Sequence, residues 1–111
     1  MKLNLLLLLI FTISWPVVGQ GPQWQWAQNA GSVSNDYGNA VCTDNIGNVY
    51  VTGTFQGQFV TFGNFILTNS STGSLDVFLV KYDATGNVVW ATSAGGSDCE
   101  YGAAITTDTR E

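Results

Sequence analysis

Three of the eight carboxylates of this sequence lie in linkers before predicted inner strands, where they could do acid–base chemistry. Asp36 and Glu100 occupy the same position in two copies of one repeated pattern, and Asp98 lies two residues before Glu100. A pair of carboxylates can supply the acid and the base of glycoside hydrolysis. The chain has no histidine, which is the usual general base and the commonest metal ligand. Asp36 and Glu100 are one repeat apart, so we place them on a solvated rim. We predict no catalytic residue and no cofactor.

Two five-residue segments share the pattern Asp-x-x-Gly-Asn and could be mistaken for metal-binding loops. An aspartate can accept a hydrogen bond from the backbone two residues later, and glycine adopts the left-handed conformation that closes a short hairpin. A calcium loop needs several carboxylates at alternating positions, whereas each segment has one. We therefore predict structural turns without metal. Their residues are Asp44, Gly47 and Asn48 in the first turn, and Asp83, Gly86 and Asn87 in the second.

Cys42 and Cys99 are the two cysteines of the chain. An even number of cysteines in an exported protein permits a disulfide bond. Their counterparts in the other copy of the repeat are Thr106 and Asn35, so the repeated pattern does not require a bridge. The sequence leaves open both a bridge between neighbouring units and two unpaired thiols.

Five aromatic residues, four of them in pairs at matching positions of the repeat, could form a sugar-stacking surface. Repeated aromatics also pack one structural unit against the next, and we favour that role here. The residues concerned are Trp24, Trp26, Tyr37, Trp90 and Tyr101.

These residues are positioned by a repeat with a spacing of 64 residues. Residues 26–47 align without a gap on residues 90–111, with 9 identities in 22 positions. The segment Trp26–Gly31 falls on Trp90–Gly95, for example. Such an offset indicates one structural unit that occurs more than once, and a repeated unit buries its apolar faces against its neighbours.

The composition between the turns is that of an all-β protein, with short β-branched and aromatic runs between Gly, Asn, Ser and Thr. Apolar runs such as Val77–Val80 do not alternate with polar residues, which predicts a sheet covered on both faces. Residues 56–75 form a long connection, with strand extensions near Phe59–Phe62 and Phe65–Thr68. Six main strands are predicted, at Trp24–Asn29, Asn39–Asp44, Asn48–Phe55, Asp76–Tyr82, Val88–Ser93 and Ala103–Asp108.

Residues 1–19 have the features of a secretory signal peptide: Lys2, an apolar run from Leu5 to Phe11, and small residues before Gln20. An uncleaved membrane anchor is the alternative, but a spanning helix needs about 20 mostly apolar residues. Cleavage would leave 92 residues with two cationic side chains and eight acidic ones. An acidic protein of this kind is a poor partner for nucleic acids or anionic membranes. We therefore predict a secreted or cell-surface protein.

The motifs Gly47–Phe55, Asp76–Asp83 and Gly86–Ala91 together resemble the SBBP-type repeat of bacterial secreted β-propellers. The resemblance implies four-stranded antiparallel blades, a scaffold or interaction role without catalytic residues, and further propeller blades as partners. A glycan-binding propeller and the non-catalytic part of an extracellular enzyme are the alternatives.

The resemblance also implies a division of the chain into segments. Residues 20–37 would hold a leading outer strand that could close a ring, residues 38–95 one complete blade, and residues 96–111 the start of the next blade. Because that blade is incomplete, we expect the chain to be the amino-terminal part of a longer protein. Assembly of blades between copies is the alternative.

Overall fold

The computed structural model describes residues 21–108, which form strands, turns and irregular segments. Within this range no helix has the length and apolar character needed to cross a membrane. The predicted signal peptide lies outside the described residues, as does Glu111, where the second copy of the repeat departs from the turn pattern.

Within residues 21–108, six strands make up two antiparallel sheets. The larger sheet has the order β1-β2-β5-β6, and β3 pairs with β4 in a hairpin inserted between β2 and β5. The all-β prediction is confirmed, and this topology is consistent with part of a propeller blade. The strands are β1 (Asp36–Thr43), β2 (Val49–Phe55), β3 (Phe59–Phe62), β4 (Phe65–Thr68), β5 (Asp76–Tyr82) and β6 (Val88–Ala94).

One face of the larger sheet is buried beneath the β3–β4 hairpin, and we call it the hairpin face. Along β5 every second residue points to this face and is buried, from Asp76 through Phe78 and Val80 to Tyr82. The rings of Phe62 and Phe78 lie 4.9 Å apart between centroids. The hydrophobic core consists of Phe55, Val60, Phe62, Leu67, Phe78, Val80 and Tyr82.

The opposite face of the sheet is less completely covered, although Thr52 and Thr54 of β2 are buried on it, and we call it the open face. The intervening residues of β5, Val77, Leu79 and Lys81, point to it and are each of intermediate exposure. Tyr50 of β2 and Trp90 of β6 flank Lys81 in the strand register. The sequence predicts a sheet covered on both faces, and in the described part of the chain the open face is crossed only by residues 102–108.

Two of the six main strands predicted from the sequence are absent from the structure. Trp24–Asn29 and Ala103–Asp108 are irregular. A strand needs a hydrogen-bonded neighbour on at least one edge. The repeat would pair these segments with strands of other blades, and the described residues contain no such strands. Both segments instead lie against the faces of the larger sheet.

Candidate functional site

The two Asp-x-x-Gly-Asn turns are built by their own side chains. In the first, Asp44 Oδ1 accepts hydrogen bonds from the backbone N–H groups of Ile46 and Asn48, at 3.1 and 2.9 Å. Asn48 Nδ2 donates to Asp44 Oδ2 at 2.7 Å, and Gly47 has a φ of 89°. The aspartate oxygens are thus engaged in ordering the loop, and the turn sets the register of β1 against β2.

The second turn repeats this geometry between β5 and β6. Asp83 Oδ1 accepts from the N–H groups of Thr85 and Asn87 and from Thr85 Oγ1, at 2.7 to 3.0 Å. Hydrogen bonds from Thr85 and Asn87 lower the pKa of Asp83 below its ordinary value of 3.8. Partial desolvation raises the pKa of Asp44, but hydrogen bonds from Asn48, Ile46 and the Tyr50 hydroxyl outweigh it, so that this pKa is also lowered.

The carboxylates singled out for acid–base chemistry have different environments. Asp36 accepts hydrogen bonds from the N–H and hydroxyl of Ser32, at 2.6 and 2.8 Å, and closes the loop before β1. Asp98 is exposed. Glu100 Oε2 is buried without a hydrogen-bond partner in the described part of the chain. The repeat explains this difference, because the position of Ser32 is taken by Gly96 in the second copy, which has no hydroxyl to donate.

The cysteines are both free thiols, half-buried at Cys42 and exposed at Cys99. Cys42 pairs with Tyr50 near one end of the sheet. The residue after Cys99, Glu100, donates its N–H to the carbonyl of Leu75 beyond the other end. At about 3.3 Å per strand residue this register separates the two thiols by well over the roughly 7 Å that a disulfide spans between Cα atoms.

A buried polar network, which the sequence analysis missed, anchors the loop before β5. Asp76, 1% exposed, accepts hydrogen bonds from Ser70 N and Ser70 Oγ, at 2.6 and 2.9 Å. Asn69 Nδ2 donates to the carbonyl oxygens of Phe55 and Ser74 at 3.3 and 2.9 Å. Asn69 begins an Asn-Ser-Ser sequence that fits an N-glycosylation acceptor, but its amide is buried and occupied. The one feature of the sequence that could have indicated this network is an aspartate, Asp76, at the start of an apolar strand.

The amino-terminal segment, residues 24–31, lies on the hairpin face. The rings of Trp26 and Tyr82 are 5.4 Å apart between centroids. Trp26 also contacts the second turn, where a Cβ on Gly86 would approach its indole to 2.7 Å. Gln28 Nε2 donates to the carbonyl of Gly86 at 3.0 Å, and Gly31 forms an isolated antiparallel bridge with Thr61. This segment therefore packs against the blade without joining its sheet.

The carboxyl-terminal segment, residues 102–108, crosses the open face beside β1. Thr107 Oγ1 donates to the carbonyl of Thr43 at 2.7 Å, and these two residues are 64 positions apart, which is the spacing of the repeat. Asn39 Nδ2 donates to the carbonyl of Gly102, again almost one repeat away. The segment thus lies next to the strand that it copies, in matching register.

A cleft of about 910 Å³ separates this carboxyl-terminal segment from the sheet. The rings of Tyr50 and Trp90 lie 6.3 Å apart between centroids, and Lys81 Nζ is 5.4 Å from the centre of the Tyr50 ring. Leu79 and Ile105 complete an apolar floor. Tyr50 and Trp90 are both half-buried, so the cleft exposes apolar surface next to the contacts between repeat-equivalent segments. It is the candidate interaction site of this chain.

The aromatic residues named from the sequence therefore divide into two groups. Trp26 and Trp90 occupy equivalent positions of the repeat and pack on opposite faces of the sheet. Trp24, Tyr37 and Tyr101 are exposed by 94%, 54% and 70%. The packing role favoured from the sequence describes the first group but not the second.

Comparison with known proteins gives a distant and partial similarity. The chain is 31% identical over 91 residues to an uncharacterized WD repeat-containing protein, L264, of Acanthamoeba polyphaga mimivirus. The match covers 77% of this chain and 7% of that protein, so the chain spans a small part of the relative's length. No protein-family model matches the chain, and no solved structure matches it. The similarity, with the four-stranded sheet and the 64-residue contacts, suggests a propeller-type repeat protein.

Proposed function

We propose that this chain is a blade-forming part of an exported β-propeller that serves as a scaffold or interaction module. The observation that carries the proposal is the contact between Thr107 and Thr43, which joins equivalent positions of successive repeats. Contacts between equivalent positions are what a stack of identical units produces, because each unit contacts its neighbours in the same way. Further blades, supplied by the same polypeptide or by other copies, are the partners of the module.

Three features support the finer parts of this proposal. The similarity to a WD repeat-containing protein supports a repeat-based interaction role. The resemblance of Gly47–Phe55 and Asp76–Asp83 to the SBBP-type repeat supports a bacterial secreted propeller, and the signal-peptide pattern of residues 1–19 supports export to the medium or the cell surface. In this role the Asp-x-x-Gly-Asn turns are structural, and the carboxylates carry no catalysis.

The packing between repeats can be tested by removing one of its indole rings. Trp26→Ala is expected to lower the free energy of unfolding by about 2 kcal/mol, because its ring covers Tyr82 and Gly86 on the hairpin face. Trp24→Ala is the matched control, since that ring is 94% exposed. It should change stability by less than about 0.5 kcal/mol. Urea unfolding followed by circular dichroism measures both variants, and equal effects would contradict the proposal.

A further inference from the structure

The two faces of the larger sheet carry complementary surfaces, because tryptophans at equivalent positions of the repeat pack on opposite faces. Trp90 on the open face is the equivalent of Trp26, and both begin the sequence Trp-Ala-x-x-Ala-Gly. The hairpin face carries the contact surface for this tryptophan, formed by Tyr82 and Gly86 and occupied by Trp26 in the same chain. The sheet thus presents a tryptophan on one face and the contact surface for an equivalent tryptophan on the other.

The terminal segments cover these faces as copies of strands from neighbouring units. Residues 24–31 repeat the sequence of β6, and they lie on the hairpin face, where the β6 of a preceding unit would pack. Residues 102–108 repeat the sequence of β1, and they lie beside β1, where the β1 of a following unit would pack. We call these two segments the intrachain caps.

From this arrangement we infer that the open face is a head-to-tail docking surface for a second copy of this chain. In the complex, Trp90 of one chain packs on Tyr82 and Gly86 of the other chain. The intrachain caps compete with this docking and are displaced by it. The inference rests on the proposed function, because it assumes that repeats pack through these contacts, and it adds the identity of the partner.

The intrachain caps are held by side-chain contacts and an isolated bridge rather than by strand pairing, which allows them to be exchanged. Neither contains a strand, and most of their residues are exposed. The hydrogen bond from Gln28 to Gly86 and the bridge between Gly31 and Thr61 fasten the first cap. The bond from Thr107 and the bond from Asn39 fasten the second. Docking replaces Trp26 and Gly31 by their repeat equivalents Trp90 and Gly95, as in domain swapping, whereas the equivalent of Gln28 is Thr92.

The partner contact is heterologous, because the open face of one chain meets the hairpin face of the next. Contacts of this type generate closed rings when the rotation between units closes, and open chains when it does not. The aromatic cleft beside Trp90 is the space that such docking fills. A second copy is favoured as its occupant because the surface complementary to Trp90 is present on this same chain.

The test measures self-association of the full chain by sedimentation velocity over a range of concentrations. Trp26→Ala weakens the first cap, which raises the fraction of chains with a free hairpin face. It should lower the apparent dissociation constant for self-association by at least about tenfold. Gln28→Ala removes only one hydrogen bond of the cap, so it should act in the same direction with a smaller effect and little risk to folding. Trp24→Ala should leave association unchanged.

A double variant identifies the docking surface. Adding Trp90→Ala to Trp26→Ala should return the association to the wild-type level or below, because the docking ring is lost. The inference is overturned if both Trp26→Ala and Gln28→Ala associate no more than the wild-type chain, or if Trp90→Ala has no effect on association. It is also overturned if cellohexaose or chitohexaose changes the tryptophan fluorescence of the wild-type chain but not of Trp90→Ala, while the Gln28→Ala chain stays monomeric, because the cleft would then be a sugar site.

The same variants separate failure of this inference from failure of the proposed function. If Trp26→Ala lowers stability while neither it nor Gln28→Ala promotes association, the packing between repeats stands and only the second copy is excluded. If Trp26→Ala has no more effect on stability than Trp24→Ala, the packing itself is excluded.

Discussion

Replacing Gly53 with alanine is expected to lower the free energy of unfolding by at least about 3 kcal/mol. Gly53 lies in β2 between β1 and β5. A Cβ at this position would overlap the carbonyl oxygen of Tyr37 and would lie 2.6 Å from Phe78 Cζ. The Tyr37 carbonyl belongs to β1 and cannot move without separating that strand from β2. The change therefore strains the pairing of three strands at once, and urea unfolding followed by circular dichroism measures it.

Gly38→Ala is the matched control for this prediction. Gly38 is the Cα partner of Gly53 in β1, and no atom lies within 4 Å of a Cβ built there. Alanine should be neutral or slightly stabilising at this position, by up to about 1 kcal/mol, because glycine loses more conformational freedom on folding. Equal losses at Gly38 and Gly53 would show that the β1–β2–β5 register differs from the one described.

Phe78→Ala is expected to lower the free energy of unfolding by about 3–5 kcal/mol. Its ring is 5% exposed and lies 4.9 Å from the ring of Phe62, so it joins the larger sheet to the β3–β4 hairpin. A folded unit of about ninety residues has a total stability of roughly 5–13 kcal/mol, so this variant should be close to unfolding. Thermal and urea unfolding curves measure the loss.

Phe59→Ala serves as the control for the core prediction. Phe59 lies on β3, in the same hairpin as Phe62, but its side chain is 48% exposed. Its removal should lower the free energy of unfolding by less than about 1 kcal/mol. A loss at Phe59 as large as that at Phe78 would mean that the hairpin packs on the sheet through its other face.

The strands of the central blade could be predicted from the sequence because their signals are local. Apolar β-branched runs bounded by Asp-x-x-Gly-Asn turns fix β5 at Asp76–Tyr82 as predicted, and β3 and β4 also lie at their expected positions. The irregular state of Trp24–Asn29 and Ala103–Asp108 was not predictable in the same way. These segments have the sequences of strands, and their structure depends on whether a partner strand is present.

The buried polar contacts could not be derived from the sequence either. Asp76 was included in a strand, but nothing in the sequence showed that the loop before it would place Ser70 against its carboxylate. The spacing of the repeat did predict which residues are equivalent. It could not predict that Thr107 would contact Thr43, because this contact depends on the path of the chain after β6.

Nuclear Overhauser effects in the full chain test most directly whether repeat-equivalent segments cover both faces of one blade. We expect cross-peaks between the rings of Trp26 and Tyr82 on the hairpin face, and between Thr107 and Thr43 beside the open face. Cross-strand peaks of the β1-β2-β5-β6 sheet confirm in the same spectrum that the blade is folded. A folded sheet without either of the two contacts between segments would contradict the account.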